Sequence, residues 1–229
     1  MIELLLREHR TRWTLYAALV LASATSTLLV AARVLHTGRP TYAFLVYNLA
    51  LAWIPLAFAC AAVSFDASPS RLGRALALIC GGGWLIFFPN APYIVTDLMH
   101  LRVNGNRLLW VDLTVLQGFA WTGLALGFVS LDLVQRLVAR RVGRVLSWVF
   151  AGAVLAASTF GIYLGRFHRW NSWDVLRAPR PLLRDVAGLL LHPFPNAQVI
   201  GHCAVLSAFL FTAYVVLRTW RGAERNDPS

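Results

Sequence analysis

The chain has 229 residues, of which 58% are hydrophobic and 14% charged, with net charge +11 and mean hydropathy +0.61. A soluble domain carries about a quarter charged residues, so the deficit excludes an ordinary water-soluble globule and makes lipid the solvent. All 21 basic residues are arginines that flank apolar runs rather than forming one patch, so they read as headgroup and positive-inside anchors, and nucleic acid is set aside as a partner.

A hydrocarbon core about 30 Å thick takes roughly 20 apolar residues of helix. Six stretches qualify, near Trp13–Leu35, Tyr42–Val63, Arg74–Val95, Leu109–Val134, Val145–Leu164 and Gln198–Leu217. The fold class is therefore all-α, a polytopic transmembrane helical bundle. Residues 1–12 read as a cytoplasmic N-terminal segment, 13–217 as the transmembrane domain and 218–229 as a disordered cytoplasmic tail. Arg7, Arg10 and Arg12 precede the first span, and Ala22-Ser23-Ala24 resembles a signal-peptidase site. The apolar run continues to Val34, which favours an uncleaved anchor. Cys60, Cys80 and Cys203 each lie within a span and give neither a disulfide framework nor a paired metal spacing.

Alternating spans put twelve arginines at the end that holds both termini and nine at the other. That bias places both termini in the cytoplasm and the protein in the cell's inner (plasma) membrane, multi-pass. Small residues recur every four positions in the fifth span, at Ala153, Ala157, Gly161 and Gly165, and in the fourth at Gly123 and Gly127. Such faces let helix backbones approach closely, so these two spans are expected to pack on each other. If the fifth helix persists, the stripe reaches Arg169 and makes it the cap of a protein-facing groove.

The third span ends in GGGWLIFFPNAPYIVTDLMHL, residues 81–101. Pro89 and Pro92 each remove a backbone donor and disfavour helix at the preceding residue, so a break is expected there. It reads either as a binding site in a broken helix or as the end of the span at the interface. Asn90 and Tyr93 fall in the break. Asp97 and His100, spaced i,i+3, share a helical face and are an acid–base pair, two metal ligands or a surface hydrogen bond. With no denser ligand motif, no metal is assigned and no cofactor is read from the chain. Asp112 is either a third carboxylate or a charge favoured at a helix N-terminus.

The second polar stretch, GRFHRWNSWD at residues 165–174, follows the fifth span. Arg166 and Arg169 carry the fork that grips phosphate or carboxylate, and Trp170 and Trp173 suit headgroup depth. An interfacial belt explains the Trp and Arg residues, yet it has no use for Asn171 and Asp174. Residues 181–192 (PLLRDVAGLLLH) put Leu182, Val186, Leu189 and Leu190 on one helical face, with Arg184, Asp185, Gly188 and His192 opposite. They form a short interfacial helix in the last long loop. The 3–4 and 5–6 loops share one side, so the two polar stretches are expected to meet. Catalytic candidates are then Asp97, His100 and Asp174, and substrate-binding candidates Asn90, Tyr93, Arg166, Arg169 and Asn171.

FPNAPYIVTDLMHL and GIYLGRFHRWNSWD resemble the signature segments of the bacterial membrane-protein family called domain of unknown function 1361. The resemblance runs from the second span to the sixth. It implies a multi-spanning bacterial membrane protein and supports the two motifs as the working site, without supplying a substrate or a reaction class. Three functions stay open. One is an outward-facing enzyme or binder for a lipid-linked or anionic substrate, including an anionic lipid. Another is a transporter of small anions or lipid, and the third is an accessory protein whose polar clusters glue the spans.

Overall fold

The computed structural model describes residues 2–101, 108–192 and 194–226. Every element among them is helical: α1 (Ile2–Thr37), α2 (Phe44–Asp66), α3 (Arg71–Phe87), α4 (Asn90–Tyr93) running on as a 3₁₀ segment (Ile94–His100), α5 (Leu109–Val142), α6 (Arg144–Phe167), α7 (Asp174–Arg177), α8 (Pro179–Leu191) and α9 (Ala197–Asn226). Six stretches are long and apolar enough to cross a membrane: Trp13–Thr37, Phe44–Asp66, Arg71–His100, Leu109–Val142, Arg144–Phe167 and Ala197–Trp220. The protein is thus a multi-pass helical membrane protein. The first helix begins at Ile2, and α9 continues to Asn226, well into the segment expected to be disordered. Residues 227–229 of that segment lie outside the described residues.

Local chemistry sets several boundaries. Ser70 caps α3 by accepting the Gly73 N–H at 2.9 Å, the usual role of a hydroxyl at a helix start. One residue, Gly143, separates α5 from α6; its φ of +86° is open to glycine and reverses the chain at once.

α5 is the axis of the bundle. Two thirds of its apolar window is buried, against 17% in the first and last spans. On one side it shares a core with α1 and α2 through Leu49, Leu56, Val115 and Phe119. On the other it meets α3, α6 and α9 through Trp84, Leu131, Leu155 and Tyr214. Hydroxyls and indoles tie neighbouring spans, as in Trp53 to Ser23 at 3.1 Å, Trp84 to Ser130 at 3.1 Å and Thr159 with Ser207 at 3.0 Å. In lipid a polar side chain finds its partner on another helix rather than in water.

The end of the third span departs from the expected break. Phe88, the residue before Pro89, has φ −52° and ψ −40°, which is helical. Proline's fixed φ suits a right-handed helix, and its push on the preceding residue is a preference that packing overrides. Here Phe88 is 1% exposed and Ala91 is fully buried. What the prolines remove is donors. The chain answers with the Ala91 N–H on the Phe88 carbonyl at 3.1 Å and the Tyr93 N–H on the Pro89 carbonyl at 3.0 Å, then tightens into 3₁₀ turns.

This narrow segment explains the glycines. A Cβ added to Gly123 would lie 2.7 Å from the Ala91 carbonyl oxygen, and one on Gly127 3.1 Å from the Ala91 Cβ. One on Gly161 would lie 3.0 Å from Pro89, and one on Gly165 3.4 Å from Tyr93. α5 and α6 do touch, but these glycines clear space for α4, which wedges between them. Gly123→Ala should therefore destabilise by ~1–3 kcal/mol, the usual range for overpacking. Gly81→Ala, with nothing within 4 Å of the new Cβ, should be neutral or stabilising. Melting temperatures of the two variants in one detergent check this pair.

Candidate functional site

The site lies where the third span's end meets the segment after α6. Asp97, on the 3₁₀ segment, is 1% exposed. Its Oδ1 accepts from Arg166 Nη2 at 2.5 Å and its Oδ2 from Asn48 Nδ2 at 2.8 Å. The guanidinium also donates to Thr96 Oγ1, from Nη2 at 2.6 Å and Nε at 3.2 Å, and lies 4.2 Å over the Tyr93 ring. Asp97 thus joins the third span to α2 and α6. Charged carboxylates so close to hydrocarbon persist only when paired and hydrogen-bonded in this way.

A second contact joins the same loops. Asn90 Nδ2 donates to Ser172 Oγ at 2.8 Å and to the Phe87 carbonyl at 2.9 Å. Beside it opens a cavity of about 360 Å³. Tyr47, Asn48, Asn90, Tyr93, Asn171 and Ser172 line its polar part, and Trp170 and Trp173 add indole surface. Leu85, Leu164, Val175, Leu182 and Val186 supply aliphatic surface.

Arg166, Asp97 and Tyr93 stand together, while Asn90 and Asn171 share the cavity with Tyr93. His100 is 41% exposed at its side chain; its Nδ1 lies 3.1 Å from the Asp97 carbonyl oxygen and 3.9 Å from the carboxylate. Its ring lies 5.1 Å from that of Phe44, tilted by 57°. Asp174 is taken up locally, accepting the Asn171 N–H at 2.8 Å at the start of α7. α6 ends at Phe167, so Arg169 does not extend its stripe. Arg169 instead adopts φ 60° and is exposed. Neither Asp174 nor Arg169 touches the Asp97 cluster. Among the described residues no group of three or more His, Cys, Asp or Glu side chains gathers.

Sequence reading missed Asn48 and Thr96, which complete the Asp97 pair. Asn48 had a signal, since an amide inside FLVYNLALAWIPLAF is a polar group at membrane depth. Asp112 also has a partner that the sequence did not name: Arg33 holds it with two donors, its Nε on Oδ1 and its Nη2 on Oδ2, the latter at 3.1 Å. Tyr42 adds its hydroxyl at 3.2 Å and lies under the Arg33 guanidinium.

α8 flanks the cavity. Leu182 and Val186 face it and Leu189 is buried, as the amphipathic pattern requires, while the side chain of Leu190 lies outside the described residues. Its polar face is fastened by Asp185, which accepts Trp170 Nε1–H at 2.8 Å and pairs with His168 Nδ1 at 3.2 Å. The indole N–H, and after it the His168 bond, hold the Asp185 carboxyl below its ordinary pKa. A depressed carboxylate pKa gives stability that is present above the unfolded value and lost as pH falls through the folded one. The protection factors of the α8 amides, taken relative to intrinsic exchange at each pH, should therefore be high at pH 7 and fall as pH drops below the ordinary carboxylate value of 3.8. Asp185→Asn should show low protection factors at both. Hydrogen–deuterium exchange over 179–191 measures it, and equal protection in the variant at pH 7 would show that this contact does not hold α8.

Comparison with curated proteins and with solved structures gave no match. The family model described as Protein of unknown function (DUF1361) matches residues 47–213, which takes in both polar stretches, the Asp97–Arg166 pair and every residue of the cavity. With its six spans and its site inside that match, the chain belongs to the DUF1361 family.

Proposed function

We propose that the protein binds a lipid or lipid-linked molecule, with the polar end of the ligand in the cavity beside Asn90 and its chain along the aliphatic surface. The observation that carries this reading is the mixed lining of the cavity, in which amides, hydroxyls and indoles stand among Leu, Ile and Val side chains in a membrane bundle. Ligand sites are commonly apolar concavities of ~300–1,000 Å³ with a few placed polar groups, and this cavity falls in that range. The excess of arginine at the opposite end supports an outward-facing site in the inner membrane, with both termini in the cytoplasm.

In this reading Asn90, Tyr93 and Asn171 contact the ligand, and Asp97 with Arg166 fixes the wall that Tyr93 presents. His100, at the exposed edge of that pair, is the residue best placed to carry a proton if the bound molecule is also processed. The two anion-gripping arginines expected from sequence fit less well. Arg166 is paired with Asp97, and Arg169 is not among the residues that line the cavity.

Lipids retained by the full-length protein in membrane-derived nanodiscs, compared with Leu182→Trp, test the proposal. The expected outcome is one species several-fold enriched over bulk lipid and lost from the folded variant. Identical lipid profiles would remove the binding reading. A chemically altered form of the enriched species after incubation would add processing to binding.

A further inference from the structure

Resting on that reading of the cavity, we propose that the group seated there is an uncharged polyhydroxylated headgroup, a sugar or similar polyol, rather than a phosphate or carboxylate. Among the described residues, none that lines the cavity is charged. The Arg166 guanidinium, beside the lining residue Tyr93, is held by Asp97 and Thr96 and covers a face of the Tyr93 ring. An anion entering the cavity would lose water without meeting a counter-charge, which is strongly unfavourable.

The hydrogen-bond inventory points the same way. Both amide hydrogens of Asn90 are engaged, on Phe87 and Ser172, so Asn90 presents its carbonyl oxygen. Asn48 has one hydrogen on Asp97 and keeps its carbonyl oxygen and a second hydrogen. Trp170 Nε1 is engaged by Asp185. Ser172 Oγ accepts from Asn90, which leaves its own O–H free to donate. Tyr47, Tyr93, Asn171 and Trp173 add further O–H and N–H donors, so the lining offers donors and amide carbonyl acceptors together. A phosphate oxygen can only accept and leaves the carbonyl oxygens unpaired, whereas each hydroxyl of a polyol both donates and accepts.

Tyr47, Tyr93, Trp170 and Trp173 add flat apolar surface among those groups. A sugar ring presents a C–H face to such a ring while its hydroxyls reach the amides, the amphipathic match that aromatic side chains with polar edges provide. About 360 Å³ holds one ring and the start of a chain.

The test uses the full-length protein in phosphatidylcholine nanodiscs doped equally with glucosyl diacylglycerol, phosphatidic acid or diacylglycerol of the same chains. Native mass spectrometry reads the lipid retained by the wild type and by Leu182→Trp, whose folding is checked by its melting temperature. Glucosyl diacylglycerol retained about tenfold over phosphatidic acid, with the excess lost in Leu182→Trp, is the expected result; tenfold corresponds to ~1.4 kcal/mol. Methyl glucoside at millimolar concentration then separates the sources: competition places the polyol in water, and its absence places it on lipid, with the headgroup chemistry supported in either case. Phosphatidic acid retained equally or better, still lost in Leu182→Trp, would overturn the headgroup class and leave amphiphile binding standing. Retention unchanged in Leu182→Trp would overturn both.

Discussion

A carboxylate beside hydrocarbon has no water to stabilise it, and the arrangement of this bundle follows from how each one is paired. Asp97 is held by Arg166 from α6 and Asn48 from α2, so a single buried charge fixes three spans together. The same device recurs. Asp112 on α5 is paired with Arg33 on α1, Asp132 on α5 with Arg136 and with Arg218 on α9, and Asp66 at the end of α2 with Arg141 at the end of α5. Three of these four carboxylates tie α5 to another span, and the Asp97 pair ties the segment wedged against it. Removing one partner of a buried pair leaves an uncompensated charge, which typically costs ~3–5 kcal/mol. Such pairs act on register as much as on stability, since each is satisfied in one alignment of the helices.

The Asp97 pair also shapes the cavity without entering it. It draws Thr96 and Tyr93 toward α6, and Asn90 then reaches Ser172 in the following loop. The wall of the cavity is closely packed where α4 lies between α5 and α6, and α8 rests against it through the Asp185 bond to Trp170. A charge pair behind an uncharged lining is a sensible division of labour in lipid. The strong interaction sets geometry, and the neutral groups line the cavity.

Much of this was legible in the sequence because lipid imposes a length on its helices. The six spans follow from apolar runs of about 20 residues, and α8 follows from the spacing of Leu182, Val186 and Leu189. The meeting of the two polar stretches follows from counting spans. Partner choice was less legible. Arg33 looks like an interfacial anchor at the end of a span until Asp112 is seen beside it, and Asn48 looks like a stray amide until Asp97 is. Gly161 and Gly123 were readable as close-approach positions, but what approaches is α4, an element too short for any periodicity to reveal. Pro89 and Pro92 mark an interruption correctly, yet sequence rules favour an unwound break where burial of Phe88 and Ala91 keeps the chain helical.

The central claim is that Asp97 and Arg166 act as one unit, and a double-mutant cycle measures that directly. Unfolding free energies of the wild type, Asp97→Asn, Arg166→Gln and the double variant, taken in one detergent, give the coupling between them. If the two act as one unit, the double variant is more stable than the sum of the single losses implies, with a coupling of ~1–3 kcal/mol. Additivity within about 0.5 kcal/mol would contradict it, because residues that do not interact show that behaviour.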